Sequence, residues 1–252
     1  VVQTIASPPR DFTNAGSLLF GDVVVAQSQW TADRVAASGR RVEVIRPPVG
    51  PIASRSREAR AALRQKLGID PNATLMVYPG DLEVSGGAEM VARAVGPLCE
   101  AHPDVVVVFA YRNKTPRAKD VARELEARLP QRHTRFTDTL PDVLVLVEDA
   151  AVLLFPVDDL WGKVDLPIVL LEAMQLGTPI LTLDHGPLAE LAGPVKVPLG
   201  DDAAFLRDAW SLAADSDRRA AVAAAQRQYV DREHAARVVA RRYEDLYLEL
   251  CR

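Results

Sequence analysis

The chain has 252 residues, 48% of them hydrophobic and 25% charged, with a formal net charge of −4 at pH 7. That length can bury a sizeable core in one large or two modest domains, and the mild acidity offers no basic field to recruit nucleic acid. No apolar run reaches bilayer-spanning length, the N-terminus lacks a signal-peptide pattern, and Cys99 and Cys251 form no metal or redox motif, so a reducing cytoplasm is the expected setting.

In chain order, strands are predicted near Val1–Ser7, Val23–Ser28 and Val42–Ile45, followed by a linker at Arg46-Pro-Pro-Val-Gly-Pro-Ile-Ala-Ser-Arg-Ser56. A helix over Arg57–Leu67 leads to a strand at Leu75–Tyr78, a helix over Ala88–Ala101 and a strand at Val105–Ala110. Next come a helix over Arg117–Leu129, strands at Thr134–Thr137 and Ala151–Phe155, and a helix over Pro167–Leu176. Strands at Pro179–Leu183 and Val195–Val197 and a helix over Asp201–Ala214 complete the alternation. From about Ser211 the pattern is nearly all helical, ending in Ala235–Leu250 with Val239, Tyr243, Leu246 and Leu250 on one stripe. Runs such as Val105–Val108 are continuously apolar, as strands covered on both faces must be. The alternation predicts an α/β class with a doubly wound parallel sheet. The stretch before the linker holds too few strands to close a comparable core, so the chain is expected to begin inside a domain.

The helix over Asp165-Leu-Pro-Ile-Val-Leu-Leu-Glu-Ala-Met-Gln-Leu-Gly-Thr-Pro-Ile180 is apolar on nearly every side except at Glu172. Pro167 suits its first turn and Gly177 its C-terminal cap. A carboxylate in such a helix costs free energy unless it is paired or solvated. Two readings stay open: Glu172 meets a ligand, or it shares a thin polar stripe with Gln175.

Ligands of open parallel sheets sit beyond the carboxyl ends of the strands. The residues expected there include Gly80, Asp81, Tyr111, Arg112, Asn113, Lys114, Asp138, Asp158, Asp159, Asp184 and His185. Arg112 and Lys114 could hold a phosphate-bearing ligand or be solvated surface charges, and Lys163 is the other cation in reach. Gly86-Gly87 fits no standard phosphate loop; it is an ordinary βα turn or a helix N-terminus open to a phosphate. The four histidines share no metal-ligand spacing, and Ser28 and Ser85 lack the context of an acyl-transfer nucleophile.

With these residues in view, the chain resembles the retaining, two-domain GT-B glycosyltransferases of the family-4 type. Val25-Ala-Gln-Ser-Gln-Trp-Thr31 resembles the strand that closes the acceptor domain, and Val42-Glu-Val-Ile-Arg-Pro-Pro48 the lead into the linker. Tyr78-Pro-Gly-Asp81 is similar to the first donor-domain strand. Leu170-Leu-Glu-Ala-Met-Gln-Leu-Gly-Thr-Pro-Ile180 resembles the family's best marker, and Gly186-Pro-Leu-Ala-Glu190 the loop after it. The resemblance implies an incomplete acceptor-side unit over 1–48, a linker over 49–56, a nucleotide-sugar donor domain over 57–230, and a helix over 231–252 returning to the first unit.

It also implies transfer of a sugar from a nucleotide-sugar donor to a hydroxyl of a glycan or lipid-linked acceptor, without metal or cofactor. A cytoplasmic protein of bacterial polysaccharide biosynthesis, with peripheral contact at the inner face of a membrane, is the setting it suggests. Donor-binding residues would be Gly80, Asp81, Gly86, Arg112, Lys114, Lys163, Asp165, Leu166 and Glu172, with Glu172 on the ribose hydroxyls and backbone amides near Asp165 and Leu166 on the sugar or phosphates. No catalytic residue is assigned. Three positions depart from the family pattern: Val164 stands for a second glutamate, Asp81 for an arginine and Gly86 for a lysine. Either Lys163, Arg112 or Lys114 supplies the missing cation, or the protein binds a nucleotide or partner without catalysis. A nucleotide-sugar epimerase on the same architecture is a further alternative.

Overall fold

The computed structural model describes residues 1–9, 11–160 and 162–252. Its first part comprises β1 (Val2–Ile5), β2 (Val23–Ala26), α1 (Gln29–Val35) and β3 (Arg41–Val44). After residues 45–56 come α2 (Arg57–Lys66), β4 (Thr74–Tyr78), α3 (Gly87–Ala101), β5 (Val105–Ala110), α4 (Ala118–Arg128), β6 (Thr134–Thr137), α5 (Leu144–Asp149) and β7 (Val152–Phe155). The remainder holds α6 (Ile168–Leu176), β8 (Ile180–Leu183), β9 (Val195–Val197), α7 (Asp202–Ala214), α8 (Ser216–Glu233) and α9 (Ala236–Leu250).

All strands pair in parallel, in a three-stranded sheet ordered β1-β2-β3 and a six-stranded sheet ordered β6-β5-β4-β7-β8-β9. The expected doubly wound class is therefore the observed one. Every residue of β5, β7 and β8 is buried, which explains why these strands lack polar alternation. Tyr78, Phe109 and Phe155 are among the largest fully buried side chains, and Phe109 stacks on Phe136 with ring centroids 4.7 Å apart.

The segment compared with a closing strand behaves otherwise. β2 is the central strand of its sheet, β3 lies at the edge, and Ser28 ends the run by accepting the Thr31 amide as the N-cap of α1. Pro167 is the N-cap of α6 rather than part of its first turn, whereas Gly177 adopts the expected left-handed C-cap at φ 81°. Helices α1 and α5 were not visible as sequence patterns, being only 7 and 6 residues long.

The two sheets are joined by more than the linker. Val239 and Leu246 of α9 pack on Val23, Val25 and Ile45 of the first unit. Glu190, after β8, accepts the Gln29 and Trp30 amides at 2.9 and 2.6 Å, placing a carboxylate at the start of α1. Asp165, fully buried, accepts a 2.7 Å hydrogen bond from Ser28. Burial pushes its pKa up, the Ser28 and Thr31 hydroxyls offset part of the shift, and Glu190 adds to it. At the α8–α9 bend, His234 is fully buried with Nδ1 2.9 Å from the Pro47 carbonyl, and its own carbonyl accepts the Val49 amide at 2.8 Å. Only the neutral tautomer with hydrogen on Nδ1 serves that bond without burying a charge.

Two outcomes follow from this seam. Burial lowers the His234 pKa from 6.5 to about 4, against the weaker opposing pull of the Pro47 carbonyl. An unfolded chain takes up that proton first, so stability is full above pH 6.5 and is lost as pH falls toward 4, by about 3 kcal/mol from this residue. Urea unfolding at pH 7 and pH 4.5 should show this loss, and His234→Gln should flatten it. At Asp165, truncation to Ala removes the Ser28 acceptor and opens a void, costing about 2–3 kcal/mol. Asp165→Asn keeps an acceptor and sheds the buried charge, so it should cost less than about 1 kcal/mol by the same measurement. Equal losses in the two variants would contradict the hydrogen-bond account.

Candidate functional site

The order β6-β5-β4-β7-β8-β9 reverses direction between β4 and β7. Connections leaving these neighbours run to opposite faces of the sheet, which opens a crevice at their carboxyl ends. A cavity of about 510 Å³ lies there, lined among others by Gly80, Asp81, Arg112, Lys163, Val164 and Glu172. Ser7, following β1, also lines it, so both units contribute.

The loop after β4 is built on Tyr78. Its fully buried side chain folds back so that the hydroxyl donates to the Asp81 carbonyl at 2.7 Å. A Cβ on Gly80 would stand 2.4 Å from that ring, so only glycine fits between ring and loop. The same turn buries the Asp81 side chain, leaving residue 81 only 2% exposed.

Two ammonium groups answer that burial. Lys163 lies 2.7 Å and Lys114 3.1 Å from the same carboxylate oxygen, Oδ2 of Asp81. The contacts are ion pairs rather than aligned hydrogen bonds. Burial pushes the Asp81 pKa up, but Lys163 and then Lys114 outweigh it and hold the carboxyl below its usual range. The loop carrying Lys114 is pinned by Glu83, whose Oε1 accepts both the amide and the hydroxyl of Thr115 at 3.1 Å.

Glu172 stands apart from this cluster. It is half-buried on α6, lines the cavity, and among the described residues makes no hydrogen bond or ion pair. Burial raises its pKa, Arg55 offsets part of the rise and Asp142 adds to it. Arg55 is itself engaged with Asp142 at 3.0 Å. The carboxylate is thus free to accept hydrogen bonds from a ligand, and Gln175 does not pair with it. Arg112 is exposed at the cavity rim.

Tyr111 and Asp138 also line the cavity, as expected, whereas other expected residues lie elsewhere. The Gly86 amide at the start of α3 donates to Asp158 Oδ1 at 2.8 Å, and a Cβ there would meet the other Asp158 oxygen at 2.7 Å. A carboxylate of the protein thus occupies the place where a phosphate was conceivable. The Asp165 amide faces Ala6 O at 3.4 Å, its side chain faces Ser28, and Leu166 is fully buried; neither residue lines the cavity. Asp158, Asp159 and His185 border a second cavity of about 410 Å³, also lined by Phe12 and Trp30, which pack edge to face. Glu83 and Ser7 were missed from the sequence. Glu83 is one polar residue in a polar loop, and Ser7 reaches the cavity only through packing of the two units.

The match to known proteins agrees with the fold described above. The family model described as glycosyl transferases group 1 matches residues 59–229. No curated protein sequence matches the chain. Among solved structures, HepE (Alr3699) of Anabaena in complex with UDP and glucose superposes with a TM-score of 0.78 at 17% identity, covering 98% of this chain and 70% of that one. Sucrose-phosphate synthase from Thermosynechococcus elongatus gives 0.73 at 17% identity, covering 99% and 67%. WaaG, a glycosyltransferase involved in lipopolysaccharide biosynthesis, gives 0.64 at 21% identity, covering 82% and 58%. These likenesses establish a shared Rossmann-like fold of the GT-B type. No helix among the described residues is long and apolar enough to cross a membrane. With the family model matching more than half of its length, the chain belongs to the glycosyl transferases group 1 family.

Proposed function

We propose that the 510 Å³ cavity is the donor site of a glycosyltransferase that moves a hexosyl group from a nucleotide sugar to a hydroxyl acceptor with retained anomeric configuration. The observation that carries this reading is Glu172, an unpartnered, half-buried carboxylate facing the switch-point cavity from the helix that bears the family's marker. Two carboxylate oxygens suit a vicinal diol, as the ribose of a nucleotide presents. Arg112, Lys114 and Lys163 lie on the same cavity or on Asp81 beside it, and would face the phosphates without a metal ion or cofactor. Gly80 makes room for the Tyr78 ring beneath the loop that borders the site. HepE, a structural neighbour, was solved with UDP and glucose, which supports a nucleotide sugar as the ligand class. WaaG, a neighbour involved in lipopolysaccharide biosynthesis, supports a glycan or lipid-linked acceptor. Residues 57–230 would form the donor domain and residues 1–48 part of the acceptor side, bridged by 49–56 and by the helix within 231–252.

A second reading, nucleotide binding without transfer, is favoured by Val164. It lines the cavity where the family pattern carries a second glutamate, so the sugar end of the site lacks that acidic group.

Thermal unfolding with UDP, GDP, ADP and their common sugar conjugates tests both readings. Ligand at a hundred times its dissociation constant adds roughly 2.7 kcal/mol. One nucleotide should raise the midpoint, and Glu172→Ala should abolish or strongly reduce the rise. The gain should also shrink as pH falls through the raised Glu172 pKa, because the protonated carboxyl loses an acceptor. No rise with any nucleotide would overturn the donor-site reading. A rise with nucleotide but no turnover of its sugar conjugate would favour binding without transfer.

A further inference from the structure

The cluster around Asp81 has a charge arrangement that a loop staple alone does not call for. One buried carboxylate needs one cation; here two ammonium groups converge on a single oxygen, from loops that follow two different strands. Lys163 comes from the segment between β7 and α6, and Lys114 from the segment between β5 and α4. Asp81 itself follows β4, the strand between β5 and β7. Side-chain exposure is 10% for Lys163 and 27% for Lys114, so both are partly withdrawn from water. Like charges this close would spread apart without the carboxylate between them. Further carbonyl contacts hold each ammonium in place, Lys114 on Gly162 at 3.4 Å and Lys163 on Asp159 at 3.3 Å. The outcome is a compact cluster with one surplus positive charge at the edge of a concave site.

We infer that Asp81 is a positioning residue: it gathers Lys163 and Lys114 into a paired cation that receives the diphosphate of the donor. The inference rests on the donor-site reading above and adds a role for an acidic residue beside an anionic ligand. An ammonium is a point charge on a flexible stem, and holding it beforehand removes the ordering cost that binding would otherwise meet. A preorganised cation also costs no rearrangement when charge develops on a departing diphosphate.

The inference makes a prediction opposite in sign to simple charge counting. Removing a negative charge beside a diphosphate should tighten binding if Asp81 merely repels the ligand, and loosen it if Asp81 positions the lysines. Calorimetric titration of the full chain with UDP, GDP and ADP, and with uridine, guanosine and adenosine, separates phosphate binding from nucleoside binding. For the base that binds, Lys163→Met should weaken the diphosphate by about tenfold or more and leave the nucleoside within about twofold, with Lys163→Arg restoring part of the loss. Asp81→Asn should weaken the diphosphate by about fivefold, and should add little in a Lys114→Met, Lys163→Met background, since it acts through those residues.

Unchanged or tighter diphosphate binding in Asp81→Asn overturns the positioning role. Unchanged binding in Lys163→Met overturns the paired cation even if Asp81→Asn does not fold. In both cases nucleoside binding persists and the donor-site reading stands. If neither nucleoside nor diphosphate binds the wild-type chain, the donor-site reading falls, and this inference with it.

Discussion

The cations of the proposed site depend on a carboxylate buried where the strand order reverses. Two strands that send their connections to opposite faces leave a crevice that the fold itself does not fill. Asp81 is carried into that crevice by the loop after β4, whose path is set by the Tyr78 hydroxyl beneath and by the absence of a side chain at Gly80. A lone buried carboxylate is costly. The lysines that relieve the cost come from the flanking loops, so the same electrostatic need draws three loops into register at one point.

Much of this architecture was legible beforehand because it rests on local rules. Continuous apolar runs marked the covered strands, and the helix over 168–176 announced itself through Gly177 and a lone acid at Glu172. The family pattern was legible in residues 170–180, and the exchange of arginine for Asp81 was visible as a departure. What could not be read was how the departures compensate one another. Lys114 and Lys163 are remote from Asp81 in sequence, and nothing local tells a lysine that grips a buried acid from one that waves in solvent.

The same limit hid the partners that the structure gives the amides at the start of α3 and at Asp165. A helix N-terminus attracts whichever anion is nearest, and the nearest to Gly86 is Asp158, delivered by β7. The seam between the two units was hidden for a similar reason. Asp165 precedes the marker helix in sequence, while its partner Ser28 caps α1 in the other unit.

These separate observations meet in the segment between β7 and α6. Lys163 reaches Asp81 in the larger sheet's loops, while Asp165, two residues on, is tied to Ser28 in the smaller unit. An extended chain points residues two apart to the same face, yet Lys163 and Asp165, on either side of Val164, reach partners in different units. The backbone between them must therefore turn, with one anchor in each unit. Ser28 of the smaller unit is thus tied to a segment that also carries one of the cations of the cavity. A site built on a loop gains from its tethers the fixed geometry that loops by themselves lack.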